Sequence, residues 1–288
     1  MRAADSLSHQ VYVGSDVVVK IIDAVGHSRL DREVALAPHL PTGITAPLLG
    51  SGLHRPGTRE EVRYACYARE QGTTPGIGLP RIADEATART LAEAAVERLV
   101  RLHSWTPTAR AARTLREPLD HGGFTGRAAL LAEAETLRAL DRQGLIAPRL
   151  LDGLAAIAER APAHARSDVP VHADCHWDNW LADGRTVTAL LDFEWARFGE
   201  PVDDWFFLAR FSGPYLHTVL DVIARTTATC PDALRADCEV REAAHLASDL
   251  RAALERSATL DALGTERLHG LEELITGNNW RRHTPTPL

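Results

Sequence analysis

The sequence predicts an α+β chain: a small antiparallel β-rich N-terminal lobe with one helix, then a larger, mainly helical C-terminal lobe. Three observations carry this. β-Branched runs crowd the first 70 residues, as pleated strands favour. From about residue 84 apolar side chains recur at helical spacing. Short apolar runs of strand character return between residues 170 and 195. The turn-rich stretch Gln71-Gly72-Thr73-Thr74-Pro75-Gly76 marks the expected boundary, with residues 1–70 as the first lobe and 71–288 as the second.

Residues 10–13 (QVYV) and 17–22 (VVVKII) flank Gly14-Ser15-Asp16 and read as a hairpin, with Lys20 inside its second strand. Over residues 27–40, Leu30, Val34 and Ala37 share one helical face and Glu33 is expected on another; Pro41 and Gly43 stop the helix. Residues 44–53 and 61–68 read as further strands. Leu91, Ala95, Leu99 and Leu102 fall at spacings of four, four and three, an amphipathic helix. Residues 125–142 and 147–162 read as two more helices, 169–171 and 187–191 as strands, and helices resume from about 202 to 280.

The 288 residues suffice for one large domain or two modest lobes. No apolar run approaches the ~18 residues that a membrane span needs, and MRAADSLSHQ has no basic-then-apolar leader pattern, so a cytoplasmic location is expected. The net charge of −7 and the lack of a basic run argue against nucleic acid as the partner. Cys66, Cys175, Cys230 and Cys238 show no CxxC spacing, so free thiols without zinc are expected. Of the 32 basic residues, 31 are arginine, and Lys20 is the sole lysine. A compact ammonium is not replaceable by a planar guanidinium where geometry is tight, so the one lysine kept points to chemistry.

The informative segment is residues 171–205, VHADCHWDNWLADGRTVTALLDFEWARFGEPVDDW. It holds His172-x-Asp174, then Asn179 five positions beyond Asp174, then Asp192 thirteen beyond Asn179. A strand ending at Val171, a loop from Asp174 to Asn179 and a hairpin delivering Asp192 can bring two carboxylates and a carboxamide to one end of a small sheet. Magnesium takes hard oxygen ligands of this kind, and an aspartate can accept a hydroxyl proton. These are the parts that phosphoryl transfer requires.

The segment resembles the aminoglycoside phosphotransferase and choline kinase superfamily, whose fold is bilobal and protein-kinase-like. The family patterns H-G-D-x-H-x-x-N, I/L-D-F/W and G-D-P-x-x-D correspond to His172-Ala173-Asp174-Cys175-His176-Trp177-Asp178-Asn179, to Leu191-Asp192-Phe193-Glu194-Trp195, and to Gly199-Glu200-Pro201-Val202-Asp203-Asp204. The resemblance implies that Asp174 is the catalytic base or orients the hydroxyl, that Asn179 and Asp192 hold magnesium, and that Asp204 braces the catalytic loop. It implies structural roles for His172 and for the Leu102-His103 pair. In the N-terminal lobe Lys20 matches the lysine that contacts the α- and β-phosphates, and Glu33 its ion-pair partner. The stretch from Tyr67 through Ala68 and Arg69 to Gly72 resembles the hinge whose backbone reads adenine. Ala173 stands where the family has glycine, Glu194 replaces the DFG glycine, and the phosphate turn has no glycine-rich signature, only Ser6, Leu7, Ser8 and His9 before the first strand.

The implied activity is transfer of the γ-phosphate of ATP, or GTP in its place, to a hydroxyl of an antibiotic or similar polar metabolite, with Mg as cofactor. A primary-metabolism kinase acting on choline, an amino alcohol, homoserine or a sugar stays open, as does a nucleotide-binding pseudokinase. Trp177, Trp180, Trp195 and Trp205 fall within 29 positions. Trp180 and Trp205 are expected in the core, while Trp177 and Trp195, with Glu194, are candidate substrate contacts, suited to a cationic acceptor. A monomer or homodimer is expected.

Overall fold

The computed structural model describes residues 2–4, 10–24, 29–55, 57, 61–119, 123–257, 259–277 and 280. Ser6, Leu7, Ser8 and His9, and the expected helix start at His27, lie outside the described residues.

The elements run β1 (Arg2–Ala4), β2 (Gln10–Val13), β3 (Val17–Asp23), α1 (Arg29–Leu36), β4 (Leu48–His54), β5 (Val62–Ala68), α2 (Glu85–His103) and α3 (Ala109–Arg116). There follow α4 (Arg127–Leu140), α5 (Pro148–Arg160), β6 (Val169–Val171), β7 (Trp180–Asp183), β8 (Thr186–Leu190), β9 (Arg197–Gly199), α6 (Pro201–Arg210), α7 (Leu216–Thr227), α8 (Pro231–Arg256) and α9 (Ala262–Thr276). This is the α+β composition expected: a small five-stranded antiparallel sheet, two two-stranded sheets and a mostly helical remainder. Among the described residues no helix is long and apolar enough to cross a membrane. The chain forms two compact units that interleave along the sequence. The first comprises residues up to 117 with 169–198 and 207–226; the second comprises 118–168, 199–206 and the rest from 227. Residue 70 thus lies inside the first unit.

In the first unit the sheet order is β1-β2-β3-β5-β4, with antiparallel neighbours. The β2–β3 turn closes with Gly14 N–H donating to the Val17 carbonyl at 2.8 Å. Lys20 pairs with Ala65, and Val18 with Tyr67. Strand alternation therefore puts Lys20 on the face shared by Ala65 and Tyr67. That face is the core: Leu30 of α1 packs there with Ala46, Ala65 and Tyr67, flanked by Ile22, Val34, Ala37 and Leu191. Glu33 is buried beside Leu30 rather than on a separate solvent-facing side. At 100° per residue it lies about 60° from Leu30, within the breadth of one covered face. The strand expected from residue 44 begins at Leu48, after Pro47, which has no N–H to donate.

Leu91, Ala95, Leu99 and Leu102 are all buried along α2, whose N-cap Asp84 accepts from Thr87 N–H at 2.7 Å. Helix α2 packs on β6 and β8. Its Arg98 donates to the carbonyls of Ile44, Val187 and Thr188 at 2.7–3.2 Å. Hairpin β7–β8 turns at Gly184, whose φ of +59° suits glycine. Helix α3 and strand β1 were not anticipated; RAA is too short, and ARAARTLR too poor in large apolar residues, to give a periodic signal.

The second unit is a helical assembly in which α8 packs against α4, α5 and α9. Its buried polar centre is Arg241, whose Nε donates to Asp203 at 2.8 Å while an amino nitrogen bonds Glu200. The guanidinium lies 4.5 Å over the Phe124 ring.

Candidate active site

The local fold brings the sole lysine onto two acids far apart in sequence. Lys20 Nζ donates to Glu33 Oε1 at 3.0 Å and Oε2 at 2.8 Å, and to Asp192 Oδ1 at 2.9 Å. Burial works against the charge, but the two carboxylates overcome it and hold the Lys20 ammonium above its ordinary pKa. The ammonium also lies 5.9 Å from the centroid of the Tyr67 ring. Burial and the neighbouring Glu33 carboxylate push the Tyr67 phenol up, so it stays neutral.

Asp192 leaves β8 with φ +68°, a left-handed conformation that aspartate tolerates better than most side chains. It opens the short 3₁₀ turn Phe193–Trp195, against which α1 packs. The segment after β6 is laced to the same place. Leu191 N–H donates to the Asn179 carbonyl at 2.7 Å, and the Leu191 carbonyl meets His172 Nε2 at 2.8 Å. Asp174 N–H donates to His172 Nδ1 at 3.3 Å. The imidazole is therefore neutral, with its proton on Nε2. Its ring is fully buried edge-on to Phe193, 4.6 Å between centroids. Leu191 thus couples the Asp174 loop to Asp192 through one residue's two backbone groups.

Asn179 Nδ2 donates to the Asp174 carbonyl at 2.7 Å and to its carboxylate at 3.3 Å. That assigns the amide nitrogen to the loop and leaves Oδ1 as the atom that could ligate a metal. His176 Nε2 lies 3.6 Å from Asp174 Oδ1, and burial holds this imidazole below its ordinary pKa. Ala173, where the resemblance places glycine, has φ +64°. An alanine there bears left-handed strain of roughly 1 kcal/mol.

Asn179 and Asp192 are hard oxygen donors that suit magnesium. No group of three or more His, Cys, Asp or Glu among the described residues is arranged to hold a metal alone. An ion on this pair would complete its shell with phosphate oxygens and water.

A sequence model of the phosphotransferase enzyme family matches residues 2–236. The chain belongs to that family. The enzyme class expected from the sequence, ATP-dependent phosphoryl transfer to an alcohol group, goes with this membership. Among solved structures, the phosphotransferase is similar to the GDP complex of aminoglycoside 2′-phosphotransferase-IIIa, with TM-score 0.71 and 19% identity, over 96% of this chain and 91% of that one. It is similar to APH(4)-Ia in a ternary complex with AMP-PNP and hygromycin B (TM-score 0.60, 17% identity, 96% and 93% coverage). It is also similar to the macrolide 2′-phosphotransferase MphH from Brachybacterium faecium (0.57, 18%, 95% and 91%). At these identities the likeness establishes the fold, which is the kinase-like one the motifs implied. No curated protein matches the chain.

Several residues of the phosphotransferase sit otherwise than expected. Trp177 is fully buried, with its indole N–H on the Leu208 carbonyl at 3.0 Å and its ring beside Trp180. It is a core residue and has no face to offer a substrate. Glu194 is likewise enclosed, 3.8 Å from Arg29. Burial, then the Asp192 charge, push its carboxyl up to about 7. Trp195 is half-buried, and its ring is taken by this chain's own Arg29 guanidinium at 4.6 Å. In the hinge-like stretch the Tyr67 side chain is buried in the sheet core. Ala68 N–H donates to the Pro47 carbonyl and Arg69 N–H to the Asp16 carbonyl, both at 2.9 Å. Those two donors are committed within the sheet, so they are not the ones that would read a base. Asp204, which is not among these departures, is fully buried in the first turn of α6.

Sequence reasoning missed Arg32. It is buried on the side of α1 away from the sheet core, and no sequence signal marks it, because its hydrogen-bond partners are backbone carbonyls.

Proposed function

We propose that this phosphotransferase moves the γ-phosphate of ATP, or of GTP in its place, to a hydroxyl of an antibiotic or similar small polar metabolite. The observation that supports this best is the Lys20 ammonium held between Glu33 and Asp192 at 2.8–3.0 Å. A polyanionic nucleotide needs a fixed cation, and Glu33 fixes this one while Asp192 offers the contact that a phosphate oxygen can replace. Asp174 accepts the acceptor's hydroxyl proton as its oxygen bonds to the γ-phosphorus and the β–γ bridging oxygen departs with the diphosphate. His172 and Asn179 hold the Asp174 backbone for that task. Asn179 and Asp192 would hold magnesium, which when bound neutralises phosphate charge. Such catalysis is mostly positioning and electrostatics.

The test is a screen of hydroxylated antibiotics, amino alcohols and sugars for magnesium- and nucleotide-dependent phosphate incorporation, with ATP and GTP in parallel. Asp174→Asn is expected to keep the fold and lower kcat by about 10²–10⁴-fold. Turnover within about twofold of the wild type would remove Asp174 from the reaction. Transfer confined to choline-like or sugar acceptors would reassign the enzyme to primary metabolism. Nucleotide binding with no transfer to any acceptor would mark a pseudokinase.

A further inference from the structure

The Lys20–Glu33 bond is only as well placed as the helix that carries Glu33, and α1 spans just eight residues. So short a helix has little stability of its own and takes its position from what holds it. Glu33 faces the sheet. The next residue back, Arg32, points about 100° around the helix and is 5% exposed. Its guanidinium donates from Nη1 to the Thr114 carbonyl at 2.7 Å and the Ala196 carbonyl at 3.1 Å, and from Nη2 to the Glu117 carbonyl at 2.9 Å. A Glu117 carboxylate oxygen lies 3.9 Å away and supplies a counter-charge. The three carbonyls belong to two segments. Thr114 and Glu117 are the last turn and C-cap of α3, where the Thr114 carbonyl also accepts from Glu117 N–H at 3.2 Å. Ala196 caps the 3₁₀ turn that begins at Asp192.

We propose that Arg32 is a positioning residue for phosphoryl transfer, a staple that ties α1 to the turn after Asp192 and so fixes Glu33 and Asp192 together around Lys20. The inference rests on the phosphotransferase reading above. Arginine suits the place because one rigid planar fork serves three acceptors at once, whereas an ammonium on a flexible stem would hold them less exactly. Arg32 acts on the site through Glu33 and the turn after Asp192.

The test compares wild type, Arg32→Met and Arg32→Lys, each alone and combined with Glu33→Gln. KM and kcat are read from magnesium-dependent nucleotide turnover, alongside thermal midpoints and amide hydrogen exchange. Alone, Arg32→Met is expected to raise the nucleotide KM about tenfold, with Arg32→Lys recovering part of the loss; in the Glu33→Gln background the same change should cost less than about twofold, since neighbours in one network are not additive. Exchange should quicken in residues 29–36 and 193–196 together. Equal losses in both backgrounds, or a lowered midpoint with unchanged KM, would make Arg32 a stabiliser only and overturn the proposal. If the wild type turns over no nucleotide, the phosphotransferase reading fails, and exchange then decides the staple: loosening confined to α3, or absent, refutes it.

Discussion

Lys20 in the first unit and Arg241 in the second are each a cation held between two carboxylates, Glu33 with Asp192 and Asp203 with Glu200. The charges match, but the surroundings differ. The Arg241 side chain is 3% exposed, bonds both carboxylates and has the Phe124 ring over one face. The Lys20 side chain is 13% exposed, while the more open carboxylates of the two sites are alike, Asp192 at 24% and Glu200 at 21%. The two sites thus differ in the cation itself: the ammonium is partly open to solvent, while the guanidinium is closed off. A compact ammonium trades one oxygen for another at small geometric cost; a bidentate fork does not. At Arg241 arginine serves as a lock; the proposed function gives the single lysine an exchangeable contact instead.

Reciprocal swaps would break that contrast most sharply. Lys20→Arg is expected to lower kcat/KM by about 100-fold while the thermal midpoint moves by only about 2–4 °C, since the wider donor keeps its charge but loses the fit. Arg241→Lys is expected to do the reverse, destabilising by about 3–5 kcal/mol through a broken buried network, with kcat/KM within about twofold wherever the protein is folded. Chemical denaturation and steady-state kinetics on both variants decide it. A neutral Lys20→Arg would end the argument from lysine scarcity.

A smaller effect concerns pH. The Glu194 carboxyl is raised from 4.5 to about 7 in the folded chain, mainly by burial. Between those values the folded state holds a proton that the unfolded state has lost, so stability falls as pH rises through this window and levels off above it. Glu194→Gln should flatten the slope of thermal midpoint against pH between about 4.5 and 7; an unchanged slope would place the titration elsewhere.

The smallest expected effect is at Ala173. Glycine relieves the strain of φ +64° but gains freedom in the unfolded chain, so Ala173→Gly should raise the midpoint by no more than about 3 °C. If kcat falls in that variant although the midpoint rises, alanine is stiffening the Asp174 loop. A fall in the midpoint would mean that the backbone strain is negligible.

Much of this was legible in the residue order. The β2–β3 hairpin, the buried stripe Leu91-Ala95-Leu99-Leu102 and the hairpin delivering Asp192 are local periodicities, and local periodicity survives into the fold because each pattern buries its own face. The pairing of Lys20 with Glu33 was implied by the family resemblance. Burial of Glu33 on the Leu30 side was not, because a carboxylate reads as solvent-facing until the lysine that compensates it is known to lie opposite. Trp177 and Trp195 read alike in the sequence, yet one is core and the other is covered by Arg29; an indole's neighbours come from distant segments.

Residue identity and spacing by themselves determined most of the elements and the set of chemically able side chains, and the motifs carried the family resemblance, because these depend on near neighbours in the chain and on functional groups. Tertiary structure alone decided that Lys20 meets Asp192 across 172 positions, that the N–H groups of Ala68 and Arg69 are already engaged, and that Arg32 clasps carbonyls 82 to 164 residues away. The physical reason is that every residue carries the same backbone carbonyl and amide. Which of them a side chain finds is written only in the way distant segments pack.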